Sequence, residues 1–387
     1  MRDYLLRGLG CLVLLLLSAC AAGVGPVPEK AGQYPPGTYL AWPGPRVLDQ
    51  VEVEKRLDQA RVVLVGETHD HPGHHAIQLQ VLESLLALGH RPVVAVEWLD
   101  HTVQKYCDQL SAGQITVERF AEVVDWKHRW GYPLKLYRPI LELVRQKRLT
   151  LVAANAPAKI IRRVARQGLA SLSPEERSQL APALELEDPA YQKMLAVQFS
   201  AHGLMGKELA RNFAAAQIAR DETMAQELAQ RLYPWPDSGR RGVLFVGGGH
   251  LAHGLGLAPR IERRLPGARV LTVLPVNPGA LARGGEQGGT PPAGLVVIST
   301  SPPPRRPRLG VTIKPVERGL MIERIWPGTP AQRAGLKAGD ILLAVDGRPL
   351  KRAKDIHDVI KAAPFAPHRY QVERKGQTLE MSITLGR

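Results

Sequence analysis

Polar side chains that could perform chemistry follow several short apolar runs of the sequence. The stretch "VVLVGETHDHPGHH" ends its apolar run with Glu67 and His69, and "VVAVEWLD" carries Glu97. A third run, in "LFVGGGHLAHG", is followed by His250. Buried carboxylates and imidazoles are costly unless they find a partner or a ligand. We therefore treat these four residues as the candidate catalytic or metal-ligating group.

Two histidines and two carboxylates support two kinds of chemistry. They can hold a divalent cation such as Mn or Zn. They can equally perform metal-free acid–base catalysis, in which a glutamate orients a histidine general base. The sequence leaves both open, and it also leaves open that Glu67 and Glu97 pair with arginines. No G-x-S-x-G or HExxH motif is present, so the common serine hydrolases and zincins fit poorly.

Neighbouring polar residues have simpler interpretations. His71 and His75 fall on the first turn of a predicted helix, where we expect them to be solvated. Asn155, after a further apolar run, can serve as a helix N-cap or as a ligand contact. The three glycines before His250 allow close approach of the backbone, but they lack the spacing of a dinucleotide-binding loop.

Apolar runs alternate with amphipathic stretches through most of the chain. Helices are predicted around 155–169 and 206–232. The runs do not alternate cleanly between polar and apolar residues, which is typical of strands covered on both faces; they are 62–65, 93–96, 150–153, 243–246, 270–274 and 295–298. The pattern predicts an α/β fold with an open, largely parallel sheet sandwiched by helices. The carboxyl ends of its strands would bring Glu67, His69, Glu97 and His250 to one edge, where such sheets bind ligands.

The N-terminus resembles a bacterial lipoprotein signal. Arg2 and Arg7 flank an apolar run of roughly ten residues, too short to span a bilayer and typical of a signal peptide. The run ends in "LSAC", which resembles a lipobox, so residues 1–19 would be removed and Cys20 lipidated. The resemblance implies a lipid anchor in the cell envelope, at the outer membrane and facing the periplasm. The Pro/Gly-rich residues 20–46 are predicted to form a tether.

Net charge and aromatic content limit the classes of binding partner that we expect. The formal net charge is +15 and aromatic residues make up 5% of the chain. A basic surface can attract nucleic acid, anionic lipid or acidic proteins, but few aromatic stacking platforms argue against single-stranded nucleic acid. We expect no nucleic-acid partner.

Once Cys11 is removed and Cys20 lipidated, Cys107 is left without a disulfide partner.

A proline-rich linker, 301–308, precedes a C-terminal module at 309–387. Its motifs "PGTPAQRAGLKAGD" and "ILLAVDGRPL" resemble a PDZ domain of the bacterial protease-associated type, a small β-rich domain with two helices. The resemblance implies that Leu309, Gly310 and Val311 form the carboxylate-binding loop for a peptide or protein C-terminus. A PDZ fold used only for internal packing is the alternative. Residues 277–294 are interpreted as a loop inside the preceding domain.

Residues 47–300 resemble a known family. The stretches "VVLVGETHDHPGHHAIQLQVLESL", "VAVEWLD", "ARDETMAQELA" and "GGGHLAHGLGLAPRI" are similar to the ChaN-like haem-binding uptake lipoproteins. That family shares a superfamily with erythromycin-esterase-like and Tiki/TraB-like proteins. The resemblance implies an α/β sandwich and haem binding by a homodimer through Tyr and His ligands. It makes His202 the first candidate for haem binding and Tyr191 the second, although both could be core residues.

The sequence therefore supports two functional hypotheses, beside a third in which the protein is a scaffold with an inactive site. The first is an outer-membrane lipoprotein that binds haem or iron, related to haem uptake, and docks partners through its PDZ module. The alternative is a metal-dependent hydrolase or peptidase that uses Glu67, His69, Glu97 and His250, with substrates held by the PDZ module. Whether the protein is an enzyme is left open.

Overall fold

The computed structural model describes residues 34–42, 46–200, 207–236, 239–277, 294–299, 309–360, 363 and 365–385, with the side chains of 197–200 and 207 excepted. The chain divides into two compact units, and the described residues up to 299 belong to one and those from 309 onward to the other. Four sequence predictions lie outside the described residues: lipidation at Cys20, haem ligation by His202, most of the loop 277–294 and the linker 301–308.

The larger unit is built on one sheet. Its strands are β1 (Tyr39–Ala41), β2 (Arg46–Leu48), β3 (Val62–Glu67), β4 (Val93–Asp100), β5 (Leu151–Asn155), β6 (Gly242–Gly247), β7 (Val270–Val276) and β8 (Leu295–Ile298). Among the described residues the order is β2-β1-β8-β7-β3-β6-β4-β5. All pairings from β8 to β5 are parallel. The predicted α/β class and largely parallel sheet are confirmed.

Helices cover the sheet. They are α1 (Gln50–Gln59), α2 (Pro72–Ala87), α3 (Gln104–Ser111), α4 (Val117–Val123), α5 (Trp126–Arg129), α6 (Leu134–Lys147), α7 (Ala158–Gln167), α8 (Pro174–Arg177), α9 (Pro189–Ser200), α10 (Lys207–Leu232) and α11 (Leu257–Arg264). Two separate apolar clusters involve alternate residues of the central strands, one including Val63 and Val65 and the other Val62 and Leu64. Layers on both sides of the sheet explain why the strand sequences do not alternate.

The C-terminal part of the predicted tether belongs to the sheet. β1 pairs antiparallel with β8, and β2 pairs antiparallel with β1. Leu40 of β1 is fully buried in a small cluster with Trp42 and Val296. The expected irregular tether at 20–46 is therefore corrected at its end, because three-residue strands among prolines and glycines are too short to produce a readable period.

Local capping fixes the helix that follows β3. His71 has an extended backbone, and its Nδ1 accepts a hydrogen bond from the backbone N–H of His74 at 3.3 Å, while Pro72 begins α2. The helix ends before Gly89, whose φ of +83° is the left-handed conformation that favours glycine after a helix. These caps hold the first turn of α2, with its histidines, against the end of β3.

The smaller unit is the C-terminal domain. Its strands are β9 (Val311–Val316), β10 (Gly319–Ile325), β11 (Ile341–Val345), β12 (Arg348–Pro349), β13 (Pro367–Arg374) and β14 (Gln377–Thr384), with helices α12 (Pro330–Arg333) and α13 (Ala353–Ile360). Over the described residues the antiparallel sheet has the order β14-β13-β11-β10-β9, and β12 pairs with β11. This is the predicted β-rich domain with two helices.

A membrane-spanning helix is not found within the described ranges, where no helix combines enough length with enough apolar character.

Candidate functional site

The parallel sheet brings the four predicted residues to one edge. β6 lies between β3 and β4, and Glu67 at the end of β3 is in register with Gly247 at the end of β6. Glu97 comes from β4 on the other side. His250 lies in the short 3-10 segment that follows β6. The expected convergence of the four residues therefore occurs.

Glu67 and His69 form one buried pair. His69 Nδ1 lies 2.7 Å from Glu67 Oε1, and the Glu67 side chain has no exposed surface. The His69 ring packs edge-on against Trp130, with centroids 4.7 Å apart. The Tyr137 hydroxyl donates to the His69 carbonyl at 2.7 Å. His69 is thus oriented by Glu67, by Trp130 after α5 and by Tyr137 of α6.

Glu97 is the centre of a second group. Its Oε1 accepts from Arg220 of α10, and its Oε2 accepts from the Gly247 backbone N–H at 2.6 Å. Asn155 donates to the Glu97 carbonyl at 2.8 Å and accepts from Arg220 at 3.3 Å. Burial opposes ionisation of Glu97, but the charges of His250 and Arg220 outweigh it and hold the pKa of the carboxyl well below its usual range. The arginine pairing left open by the sequence is the one that occurs here.

His250 lies between two carboxylates. Its Nδ1 contacts Asp221 Oδ1, and its Nε2 is 3.2 Å from Glu97 Oε1. Burial alone would lower the pKa of His250, but Asp221 and Glu97 raise it to about 9. At neutral pH His250 is therefore a buried imidazolium held in a network of charges.

Tyr191, the second candidate haem ligand, completes this network. Its hydroxyl donates to Asp221 Oδ2 at 2.5 Å, and the side chain is fully buried. Arg260 lies over its ring, 4.8 Å from the centroid. Burial, reinforced by Asp221, raises the pKa of the phenol well above its usual range. In this structure the hydroxyl therefore serves the Asp221 network, and haem ligation by Tyr191 stays a prediction.

A divalent metal also fits this edge poorly. Both oxygens of Glu97 accept hydrogen bonds, and both ring nitrogens of His250 face carboxylates. The cationic group that Glu97 binds is the Arg220 guanidinium. Within the described part of the chain, no group of three or more His, Cys, Asp or Glu side chains is arranged to hold a metal. The geometry does not support the Mn or Zn expected from Glu67, His69, Glu97 and His250.

The histidines of α2 are buried, contrary to the expectation of solvated side chains. His71 and His74 stack with centroids 3.8 Å apart, and His71 Nε2 donates to Asn277 Oδ1 at 3.0 Å. His75 Nε2 donates to the His69 carbonyl at 3.1 Å. Burial, reinforced by His71 and His75, lowers the pKa of His74 to about 2. The expectation for His71 and His75 was wrong because the first turn of α2 packs against the end of β3. Sequence periodicity does not reveal that contact.

Asp221 and Arg220 were not singled out from the sequence. Both are buried residues of α10, a helix that packs against β5 and α7. Consecutive opposite charges on a helix usually indicate a solvated surface. The available signal was "QIARDETMA", where charged residues interrupt the apolar face of a long helix.

Gly247 makes room for the site. A Cβ at this position would lie 2.9 Å from His69 Cε1 and 3.3 Å from Glu97 Oε2. Its backbone conformation, φ −57° and ψ 137°, is open to any residue. The requirement for glycine is therefore one of space between two functional side chains rather than of backbone freedom.

The predicted peptide-binding loop opens β9. Gly310 has φ +84°, and a Cβ there would come 2.1 Å from Thr329 Cβ. The Leu309 carbonyl accepts from the Ala331 N–H at 2.9 Å, and the Gly310 carbonyl accepts from the Trp326 N–H at 3.0 Å. The loop is thus fixed at the start of an edge strand. Binding of a carboxylate by this loop stays a prediction.

Comparison with known proteins agrees with the two-unit architecture. The family model described as "Haem-binding uptake, Tiki superfamily, ChaN" matches residues 53–261, and a PDZ domain model matches residues 307–385. A solved structure described as "Cofacial heme binding to ChaN of Campylobacter jejuni" has a TM-score of 0.53 at 18% identity, covering 69% of this chain and 98% of that one. At that identity the likeness concerns the fold.

Two curated relatives match different parts of the chain. The protein RETICULATA-RELATED 5, chloroplastic, of Arabidopsis thaliana is 26% identical over 258 residues, covering 58% of this chain and 32% of its own length. The magnetosome formation protease MamE of Paramagnetospirillum magneticum is 33% identical over 117 residues, covering 28% of this chain and 16% of its own length. The chain therefore spans less than a third of these relatives.

Proposed function

The chain belongs to the ChaN haem-binding uptake family of the Tiki superfamily and carries a PDZ domain, and from this premise we propose that it is an envelope lipoprotein that binds haem in its α/β unit and docks peptide or protein C-termini on its PDZ domain. The observation that carries the proposal is the family match across 53–261, supported by the ChaN-like fold. Haem would supply an iron centre that takes a histidine or tyrosine ligand.

His202 is the proposed axial ligand. Tyr191, the other candidate, uses its hydroxyl on Asp221 and lies beneath Arg260. His202 lies between α9 and α10 in the sequence, outside the described residues, so its ligation is proposed from the family resemblance alone.

The proposed location is the outer membrane, on its periplasmic side. The support is the "LSAC" stretch that ends at Cys20; acyl chains on that cysteine would anchor the chain with about 0.8 kcal/mol per buried methylene. We also propose a homodimer as the haem-binding form, because the family resemblance implies haem held by two subunits.

We do not propose a metal-dependent hydrolase. Its proposed ligands Glu97 and His250 use their polar atoms on Arg220, Gly247 and Asp221. Replacing these contacts with a cation would require breaking a buried charge network, which is costly.

A haemin titration of the full chain tests haem binding. We expect a saturable shift of the Soret band, and we expect His202→Ala to raise the dissociation constant by at least about tenfold, the size of effect that follows loss of groups supporting a metal centre. His128→Ala is the control, since that side chain is exposed and pairs only with Asp125 among the described residues. Unchanged binding in His202→Ala together with lost binding in Tyr191→Phe would reverse the assignment of the ligand. No saturable shift in the unmodified chain would reject haem binding.

A further inference from the structure

The PDZ groove is bounded by an edge strand and a helix. β9 is the last strand of the C-terminal sheet, and within the described residues it pairs with β10. α13 packs beside β9. The surface between them is apolar: Leu309, Ile356 and Ile360 are buried in the domain core, and Val311, Ile313 and Val359 pack against it while partly exposed. A peptide added at such an edge gains main-chain hydrogen bonds from the strand and side-chain contacts from the groove.

The hairpin register decides which backbone groups of β9 face this edge. Val316 pairs with Gly319 across a two-residue turn, and Lys314 pairs with Met321. At the other end, the Gly310 carbonyl accepts from Trp326 on the β10 side. Because backbone groups alternate sides along a strand, the even-numbered residues of β9 face β10. The odd-numbered residues therefore face the open edge; they are Val311, Ile313 and Pro315.

Pro315 has no N–H to offer at this edge. A proline in a strand is compatible only with the side that lacks a sheet partner, which agrees with the register above. The side chain of Pro315 is exposed, and no turn ends the strand there, since β9 continues to Val316. Val311 and Ile313 each present a backbone N–H at the open edge of β9. The next outward residue, Pro315, presents none.

We propose that this PDZ domain pairs fully with only the last three residues of a peptide C-terminus, because Pro315 removes the donor that would hold the carbonyl of the fifth. The terminal carboxylate would lie at the Leu309–Val311 loop, and the third residue from the end would pair with Ile313. The fifth residue would come opposite Pro315, where its carbonyl finds no donor and only its N–H keeps an acceptor, the Pro315 carbonyl. The ligand class is a short, apolar-ended C-terminal tail whose upstream sequence contributes little. The inference rests on the proposed docking function.

A series of tail lengths on the full chain tests it. The tightest binder from a random heptapeptide library with free C-termini is made as fluorescein-labelled tails of three, four, five and seven residues, with an amidated seven-residue tail as the check on carboxylate dependence. For the unmodified chain we expect dissociation constants for four to seven residues to agree within about twofold. Pro315→Ala restores the N–H, so we expect about fivefold tighter binding of the five- and seven-residue tails and no gain for four, the size of one hydrogen bond.

Pro367→Ala is the matched control, because that proline is also exposed at a strand position but belongs to β13, which β11 and β10 separate from β9. Affinity in the unmodified chain that rises steadily from four to seven residues overturns the inference while leaving docking intact. An equal gain from Pro367→Ala, or none from Pro315→Ala, also overturns it. A library that yields no carboxylate-dependent binder rejects the docking function, and the inference with it. The length series on the unmodified chain decides the question even if Pro315→Ala folds poorly.

Discussion

Two histidines of the α/β unit are equally buried, yet one is protonated and the other neutral at pH 7. His250, 4% exposed, faces Asp221 and Glu97, and its pKa is raised to about 9. His74, 3% exposed, stacks on His71, and its pKa is lowered to about 2. Burial disfavours the imidazolium in both places. The difference shows that the charge of the neighbouring groups, rather than depth in the protein, decides which histidine keeps a proton.

The two histidines therefore affect stability in opposite ways as the pH changes. The imidazolium of His250 stabilises the folded state fully below its unfolded pKa of about 6.5, and that contribution is lost as the pH rises through about 9. His74 stays neutral when folded, whereas the unfolded chain takes up a proton below about pH 6.5. Its contribution is thus lost as the pH falls from there toward 2.

We expect the largest loss of stability when the Asp221 carboxylate, which binds His250, is removed. Asp221→Asn keeps the shape but leaves Tyr191 and His250 without their buried acceptor charge, and we expect the free energy of unfolding to fall by about 3 kcal/mol. The pKa of His250 should fall as well. Urea unfolding and an NMR titration of the imidazole measure both. Asp125→Asn, at an exposed pair with His128, is the control and should change little. A loss at Asp221 no larger than at Asp125 would contradict the ionised network.

The loss of stability at acid pH is expected to depend on His74. Between pH 6.5 and 5 we expect the free energy of unfolding to fall by about 2 kcal/mol from this residue, at about 1.4 kcal/mol per pH unit. In His74→Asn the amide oxygen can replace Nδ1 as acceptor for the Thr68 N–H, a bond of 2.9 Å, without titrating. Unfolding measured across this range should show a shallower slope in His74→Asn than in His357→Asn, at an exposed position. Equal slopes would mean that His74 becomes protonated in the folded state.

The smallest effect concerns Gly247, which separates His69 from Glu97. Gly247→Ala places a methyl group 2.9 Å from His69 Cε1, and we expect a loss of about 1–2 kcal/mol with displaced His69 resonances. Gly242→Ala is matched, because its Cβ would also meet an atom at 2.9 Å, but that atom is Leu228 Cδ1. Only Gly247→Ala should alter the environment of His69. If the His69 signals do not move, the pocket tolerates a side chain there.

Residue patterns were sufficient for the main architecture. The apolar runs within the strands are short and do not alternate, so they predicted a sheet covered on both faces, and Glu67, His69, Glu97 and His250 were identified because they follow those runs. Two features besides the roles of Arg220 and Asp221 could not be predicted. Strands β1 and β2 are too short to show a period, and the burial of His71 and His75 depends on how the first turn of α2 packs.

The sequence by itself determined that carboxylates and imidazoles meet at the carboxyl edge of the sheet, because parallel strands direct their ends the same way. It also determined that Pro315 offers no donor. Only the tertiary structure decided that Arg220 and Asp221 of α10 reach Glu97 and His250, because a contact between a helix face and distant strand ends is not encoded in local spacing. That packing selected a charge network over a metal site, since it supplied the guanidinium and the second carboxylate that occupy the polar atoms of Glu97 and His250.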